Sequence, residues 1–454
     1  MKGFVPTPQQ VVDSMVAKLF SDHLPGPESM VLDPGCGTGA FIEGVTRWCR
    51  RHKCPLPKIL GVESDPEHLN EARRSLGHLQ SITLANEDFL AHRDELFDYV
   101  VGNPPYVPIT GLSDVERRNY RRHYSTARGR FDLYLLFFEQ ALRLLKPGGR
   151  LVFITPEKFL YVRTAEPLRR ALGGLSVEEI HFIDESTFGV LTTYPTITTI
   201  LNIPAGPESR VILRDGSSRQ ARLPADGSSW LPAIHGTLAE LSEYTLADAC
   251  LRISCGVATG ADEVYVAKTS QLTKNLKPFA FPTVAGREIS FDKGISASHS
   301  MLVPYARSGA LLGEEQLGEL GEYLNEPERR RKLLTRTCAA RKRWYAFHEN
   351  PPLADILRPK ILCKDIASRP FFLVEETGEV VPRHSVYYIV PRDSSKIHDL
   401  CDYLNSGAAE AWLNAHCQRA ANGFLRLQSH VLKHIPLPAH FVNSPQLTWY
   451  ANAN

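Results

Sequence analysis

Met30-Val31-Leu32-Asp33-Pro34-Gly35-Cys36-Gly37-Thr38-Gly39-Ala40-Phe41 is the stretch that decides the fold. Its three leading apolar residues read as a short buried strand. A tight turn follows, and Phe41, Val45 and Trp48 then continue at helical spacing. Glycines 35, 37 and 39 let a backbone turn sharply and meet a ligand with no Cβ in the way.

The same alternation continues on both sides. Upstream, Val12, Met15, Val16 and Leu19 mark a helix from about Val11 to Phe20. Downstream, Ile59-Leu60-Gly61-Val62-Glu63 predicts a second strand that ends in an acid. Asp65 caps a helix running to Leu76, with Pro66 at its first position. Ile82 to Leu84 and Phe97 to Val101 read as further strands. An amphipathic helix from Leu133 to Leu145 is stopped by Lys146-Pro147-Gly148-Gly149, and strands follow at Arg150 to Ile154 and Thr196 to Ile203. Strands alternating with helices at this spacing predict an α/β fold with a doubly wound, mostly parallel sheet.

Between Pro204 and Ser229 the composition turns to Gly, Ser, Arg, Asp and Pro, which reads as a surface excursion or domain junction. Past it the rhythm is lost. Strand-like Tyr387 to Val390 mixes with helical Leu400 to Trp412. The expected division is a catalytic domain over 1–225 and an α+β domain over 235–454. At 454 residues the chain is long enough for both cores. The formal net charge of +2 does not by itself call for nucleic acid, so any polyanion affinity has to come from local clusters. Nine cysteines without a CxxC pair suit a reducing compartment. The N-terminal run has no apolar core of a secretory signal, and no stretch approaches the ~20 apolar residues of a membrane span. A soluble, cytoplasmic protein is expected.

The first chemical signal is the ligand type. Glu63 ends the second strand, where a carboxylate accepts hydrogen bonds from two ribose hydroxyls. Asp88 and Phe89 follow the third strand, where an acid and an apolar ring suit an adenine. Ala40 and Phe41 stand where a phosphate-binding loop needs Lys and Ser/Thr. Asp33 opens the turn; its carboxylate repels pyrophosphate and attracts a cationic amino-acid group. S-adenosyl-L-methionine fits these residues better than NAD or ATP. The second signal is Asn103-Pro104-Pro105-Tyr106, directly after the strand. An exocyclic amine on a base is a poor nucleophile because its lone pair is delocalised into the ring. Acceptors at its two hydrogens, the Asn103 side-chain oxygen and the Pro104 carbonyl, localise that pair. The prolines fix the loop, and Tyr106 offers a flat face to a base rotated out of a duplex. Direct transfer needs no metal: His430 and His434 lack a third ligand, and Cys36 reads as a small packing residue.

On these motifs residues 5 to 203 resemble the gamma class of N6-adenine DNA methyltransferases, the TaqI-type enzymes above all. The resemblance implies a seven-stranded methyltransferase sheet followed by a target-recognition domain. It also implies a cofactor role for Thr7, in Val5-Pro6-Thr7-Pro8, and for Phe137, which follows Gly129-Arg130-Phe131-Asp132-Leu133-Tyr134. A phenylalanine past the next strand stacks on the extruded adenine in that family. Phe188 matches best and Phe182 is the second choice. Pro359-Lys360-Ile361, Tyr403-Leu404-Asn405-Ser406 and Ile435-Pro436-Leu437-Pro438 resemble the specificity domain. Duplex DNA is the implied partner, with a separate restriction endonuclease as a second.

Two basic clusters fit that partner: Arg117, Arg118, Arg121, Arg122, Arg128 and Arg130 after the catalytic loop, and Arg329 to Lys332 with Arg341-Lys342-Arg343 in the second domain. Arg128, Arg130, Arg341, Lys342 and Arg343 are expected to meet phosphates, and the insertion between Tyr106 and Phe131 to embrace the target strand. Four other readings share the motifs: a release-factor-type glutamine methyltransferase, an RNA adenine methyltransferase, an N4-cytosine methyltransferase, and a degenerate DNA-binding subunit.

Overall fold

The computed structural model describes residues 5–91, 95–184, 194–235, 243–420 and 423–442. Two compact units divide it, Met1–Gly236 and Thr237–Asn454.

The first unit is a sheet wrapped by helices. Its elements are α1 (Gln9–Leu19), β1 (Met30–Pro34), α2 (Ala40–His52), β2 (Lys58–Val62), α3 (Pro66–Leu76), β3 (Ile82–Ala85), β4 (Phe97–Gly102), α4 (Asp114–His123), α5 (Leu133–Arg143), β5 (Leu145–Pro156), α6 (Glu166–Leu172), β6 (Leu175–Phe182), β7 (Pro195–Pro204), β8 (Ser209–Ile212), β9 (Ser218–Ala221) and α7 (Leu231–His235). The strand order is β3-β2-β1-β4-β5-β7-β6-β8-β9. The first seven places are the expected methyltransferase sheet. From β3 to β5 every pairing is parallel, β7 runs antiparallel to β5 and β6, and β6 and β8 are again parallel. Apolar cores lie on both faces. Val12, Met15 and Val16 of α1 join Phe41 and Val45 of α2 on one; Tyr134, Leu136 and Phe138 of α5 join Phe153 and Phe159 on the other.

Three local readings change. The Gly/Ser-rich stretch after Pro204 is not a bare surface excursion. Its Asp215-Gly216-Ser217 turn joins β8 to β9, so the sheet has nine strands rather than seven. The arginine-rich insertion holds α4, started by a capping box in which Ser113 and Glu116 bond each other's backbone N–H groups. Strand β6 escapes an alternation test because Glu178, Glu179 and His181 interrupt it. Their partners come from afar: Glu178 meets Arg150, and Glu179 meets Lys18 and Arg210.

The second unit has two four-stranded sheets. One orders Cys250–Cys255, Val386–Pro391, Lys360–Lys364 and Phe372–Glu375, all antiparallel. The other orders Val266–Lys268, His299–Leu302, Ala280–Val284 and Val381–Pro382. The helical stretch expected from Leu400 to Trp412 is two helices, Ile397–Leu404 and Gly407–His416. Asn405 and Ser406 cause the break. The Asn405 amide donates to the carbonyls of Phe372 and Cys401 and its oxygen accepts from the Phe372 N–H, while Ser406 caps the next helix. One interior ion pair, Lys360 with Glu375, joins neighbouring strands with both side chains buried.

Candidate active site

The site lies at the carboxyl ends of β1, β2 and β4, where open α/β sheets take ligands. A cavity of about 270 Å³ opens there. Its walls are the opening segment (Val5, Pro6, Thr7), the turn after β1 (Gly35, Cys36, Thr38), the end of β2 (Glu63, Ser64), the loop after β3 (Glu87, Asp88, Phe89), the catalytic loop (Asn103, Pro105) and Phe137 of α5. Eight residues expected at the cofactor or the amine therefore converge on one space: Thr7, Gly35, Glu63, Asp88, Phe89, Asn103, Pro105 and Phe137.

Each is held by a local cause. Gly35, at φ +77°, donates its N–H to the Val62 carbonyl at 2.8 Å. A Cβ on it would make only ordinary contacts, 3.5 Å from the Phe137 ring and 3.7 Å from Pro105, so it is the left-handed φ that calls for glycine here. The buried Glu63 carboxylate accepts from the Gly37 N–H at 2.9 Å and the Asp65 N–H at 2.7 Å. That fixes it at the cavity with lone pairs to spare. Asp88 is exposed and accepts from the Leu90 N–H at 3.0 Å. Phe89 and Phe137 tilt against each other with ring centroids 5.0 Å apart.

Asn103 joins the two halves of the chemistry. Its side-chain nitrogen donates to the Val5 carbonyl at 3.1 Å and to the Thr7 hydroxyl at 3.0 Å. Since a carbonyl only accepts, the amide orientation is settled: Nδ2 faces the opening segment. Oδ1 is buried and has no hydrogen-bond partner among the described residues. Buried acceptors are normally satisfied, so this one is reserved for a donor that arrives from outside.

Asp33 is the second such group. It is 1% exposed, and neither carboxylate oxygen has a hydrogen-bond partner among the described residues. Burial, and after it the charge of Glu63, push its carboxyl well above the usual range. An unneutralised buried carboxylate is costly, which makes the position a fit for a cationic group. Asp33 itself is not part of the cavity wall; it lies behind it, with Oδ1 3.2 Å from where a Cβ on Gly102 would stand.

Other expected residues do different work. Gly37 supplies the N–H that orients Glu63. Gly39, at φ +94°, caps the start of α2 against the end of α3: a Cβ there would come within 2.5 Å of Leu76. Cys36 is buried, and burial pushes its thiol up, consistent with a packing role. Pro104 is buried outside the cavity. Tyr106 is half-buried, packs edge-on against Tyr134 and points its hydroxyl to the Ile154 carbonyl at 3.5 Å. Phe182 is 5% exposed at the end of β6, a strand residue beneath an arginine. Phe188 lies outside the described residues.

Of the basic residues, Arg128, Arg130, Arg341 and Arg343 are exposed. Arg343 donates to the Tyr345 hydroxyl at 3.0 Å. Lys342 is largely spent on structure: its ammonium meets the His348 carbonyl at 2.9 Å and Asn350 at 3.1 Å. His434 turns its Nδ1 to the His430 carbonyl at 2.7 Å, the geometry of a helix-end contact. Sequence reasoning missed the Val5 carbonyl and Thr7 hydroxyl as partners of Asn103, because the tie spans 96 to 98 residues.

Sheet order, glycine turn, the two acids and the reserved acceptor together define a class I S-adenosylmethionine-dependent methyltransferase. Residues 58–188 match the Eco57I restriction-modification methylase family, and residues 318–437 match the TaqI-like C-terminal specificity domain. The two matches together support a TaqI-type adenine methyltransferase with a C-terminal recognition domain, acting as a site-specific DNA methyltransferase. The type II methyltransferase M.PaeR7I of Pseudomonas aeruginosa is 29% identical over 395 residues, 78% of this chain and 67% of that one. M.XhoI of Xanthomonas vasicola is 27% identical over 405 residues, 80% and 72% of the two chains. Among solved structures, the type IIL restriction-modification enzyme MmeI in complex with DNA superposes with a TM-score of 0.65 over 94% of this chain and 64% of its own. At 14% identity that likeness concerns the fold alone. No helix among the described residues is long and apolar enough to cross a membrane.

Proposed function

We propose that the chain methylates the exocyclic N6 of an adenine rotated out of duplex DNA, with Asn103 as the residue that prepares the amine. The supporting observation is the divided Asn103 amide, whose NH2 is committed to Val5 and Thr7 while its buried oxygen lacks a partner among the described residues. S-adenosylmethionine, when bound, supplies an activated methyl group on a positively charged sulfur. Glu63 would hold its ribose, Asp88 and Phe89 its adenine, and Asp33 would neutralise its cationic end.

In this reading Asn103 Oδ1 and the Pro104 carbonyl accept the two amino hydrogens. The lone pair then localises on nitrogen and is directed at the methyl carbon. Pro104 and Pro105 hold the acceptors in place before the base arrives, so little reorganisation remains for the reaction itself. Tyr106 stacks on the extruded ring, and Phe188 closes its other face. Arg128, Arg130, Arg341 and Arg343 meet phosphates, with Lys342 bracing the loop that carries the last pair. A separately encoded restriction endonuclease of the same specificity, and a cytoplasmic location, complete the reading.

The test is incubation with labelled cofactor and duplex DNA, RNA or a release factor, followed by digestion and identification of the modified unit. N6-methyladenine in DNA is expected; label in N4-methylcytosine, RNA or glutamine overturns the assignment. Mapping methylated adenines in DNA from expressing cells then gives the recognition sequence. Resistance of that DNA to the cognate nuclease tests the pairing.

A further inference from the structure

We infer that Tyr120 and Tyr124, on the inner face of the arginine-rich insertion, are positioning residues for the cofactor's adenine ring; this rests on the reading of Asp88 and Phe89 as that ring's site. Tyr120 lies within α4 and Tyr124 caps its end, so the two, four residues apart, share one helical face. Both are buried, whereas Arg118, Arg121 and Arg122 on the remaining sides are exposed. A buried phenol needs a partner for its hydroxyl, and both hydroxyls turn to one short loop of the cofactor cavity. Tyr124 donates to the Leu90 carbonyl at 2.6 Å, and Tyr120 makes the longer tie, 3.5 Å to Asp88 Oδ2.

That loop is a single 3-10 turn, Phe89–Ala91, with Asp88 before it. Asp88 Oδ1 accepts from the Leu90 N–H at 3.0 Å, and its backbone carbonyl from the Ala91 N–H at 2.9 Å. Asp88 and Phe89 line the cavity and neither tyrosine does, so the tyrosines act through the turn. Tyr124 grips it from behind at Leu90, and Tyr120 orients the second oxygen of Asp88. The grip is anchored on α5. The Tyr124 hydroxyl lies 3.2 Å from Gln140 Oε1, and Glu139 accepts from the N–H groups of Ser125 and Thr126 at 3.0 and 2.9 Å. The same helix carries Phe137, whose ring meets Phe89. Insertion, α5 and turn therefore form one frame around the adenine end of the cavity. Burial, and after it the charge of Asp88, push the Tyr120 phenol above its ordinary range, so it remains a donor. Phenylalanine would fill the same space; what the two hydroxyls add is the placement of the turn.

The experiment titrates the full chain with S-adenosylhomocysteine and with S-inosylhomocysteine, in which an oxygen replaces the ring's amino group. A site built to accept from that group discriminates against an analogue that lacks it. The ratio of the two dissociation constants therefore reports how well the amino group is met, whatever the stability of the fold. In the double variant Tyr120→Phe with Tyr124→Phe this ratio should narrow by about fivefold or more, the scale of one net hydrogen bond. Tyr124→Phe alone should narrow it by a smaller factor and covers the case in which the double variant does not fold. Duplex affinity, and the single-turnover rate at saturating cofactor and DNA, should stay within about twofold of the wild-type chain. An unchanged ratio in the folded variants overturns the inference, and lost duplex affinity beside an unchanged ratio would assign the insertion to DNA alone. Asp88→Ala keeps the two readings apart. A wild-type ratio in that variant sinks the adenine site on which the inference rests; a ratio lost there and retained in the tyrosine variants sinks the inference only.

Discussion

Asn103→Ala removes two separable things. One is the acceptor. Loss of a single preorganised polar group from a reacting centre costs about 10²- to 10³-fold in the chemical step. The other is the pair of donor bonds to Val5 and Thr7, at 3.1 and 3.0 Å, which bind the cavity's N-terminal wall to the catalytic loop. At about 1 kcal/mol each, their loss weakens that wall by ~2 kcal/mol, a ceiling of roughly 30-fold on the cofactor dissociation constant. Cofactor affinity therefore falls together with rate, whereas the motif alone suggests that Asn103→Ala leaves binding largely intact. Thr7→Val separates the effects, because it removes one acceptor of the tie and leaves Oδ1 in place. Its cofactor constant should rise about fivefold, from one lost bond, and proportionally more than its single-turnover rate drops. Calorimetric titration with cofactor and rapid-quench transfer from labelled cofactor measure the two quantities independently. Wild-type cofactor affinity in Asn103→Ala would refute the tie. A Thr7→Val chain as slow as Asn103→Ala, with affinity preserved, would refute the acceptor role.

Three further outcomes follow from named contacts. Gly39→Ala places a Cβ 2.5 Å from Leu76 at a φ of +94°; a strain of about 2 kcal/mol should lower the melting temperature by roughly 5 °C, and an unchanged melt contradicts the packing. The raised carboxyl of Asp33 means the folded apo-protein holds a proton that the unfolded chain releases above the ordinary value of 3.8. Its stabilising share is then complete below that value and lost as pH climbs toward the raised one. Urea melts across pH should show this decline in the wild-type chain and not in Asp33→Asn; equal slopes would dismiss the buried charge. Arg341→Ala with Arg343→Ala should weaken binding to every duplex and reduce the slope of log affinity against log salt by about two. An unaltered slope in anisotropy titrations removes these residues from the phosphate contacts.

Legibility in the sequence tracks how local each cause is. The strand-turn-helix around Gly35, the Asp65 cap and the Pro-stiffened loop at Asn103 are set by neighbours in the chain, so spacing and residue type reveal them. Helix α4 is equally local, but its Ser113–Glu116 capping box is obscured by a run of arginines that reads as a charged insertion. Strand β6 is hidden for the opposite reason, because its two carboxylates, Glu178 and Glu179, are paired only by the distant Lys18, Arg150 and Arg210. The stretch around the Asp-Gly-Ser turn reads in sequence as a surface excursion or domain junction and not as the tip of a hairpin, since pairing of β8 with β6 is a tertiary event. Gly39 carries a packing demand the motif does not reveal, since a Cβ on it would meet Leu76 at the end of α3. A glycine wanted for close packing and one wanted for ligand approach look the same in sequence.

Register explains why the cofactor wall and the amine acceptor meet at all. β1 pairs with β2 so that Pro34 lies opposite Val62, which sets Gly35 beside Glu63. On its other edge Leu32 lies opposite Val100. Continuing that register two residues sets Pro34 level with Gly102, and a Cβ on Gly102 would indeed stand 3.4 Å from the Pro34 ring. One residue further, Gly35 and Asn103 leave adjacent strands at the same height. A slip of one residue between β1 and β4 would turn Asn103 to the opposite face of the sheet and leave Val5 and Thr7 without their donor. The start of β4 opposes that slip, because the Asp98 carboxylate accepts from the Met30 N–H of β1 at 2.8 Å. The pairing that specifies the sheet thus also fixes the distance between the glycine-lined cavity and the acceptor, without any contact devoted to that purpose alone.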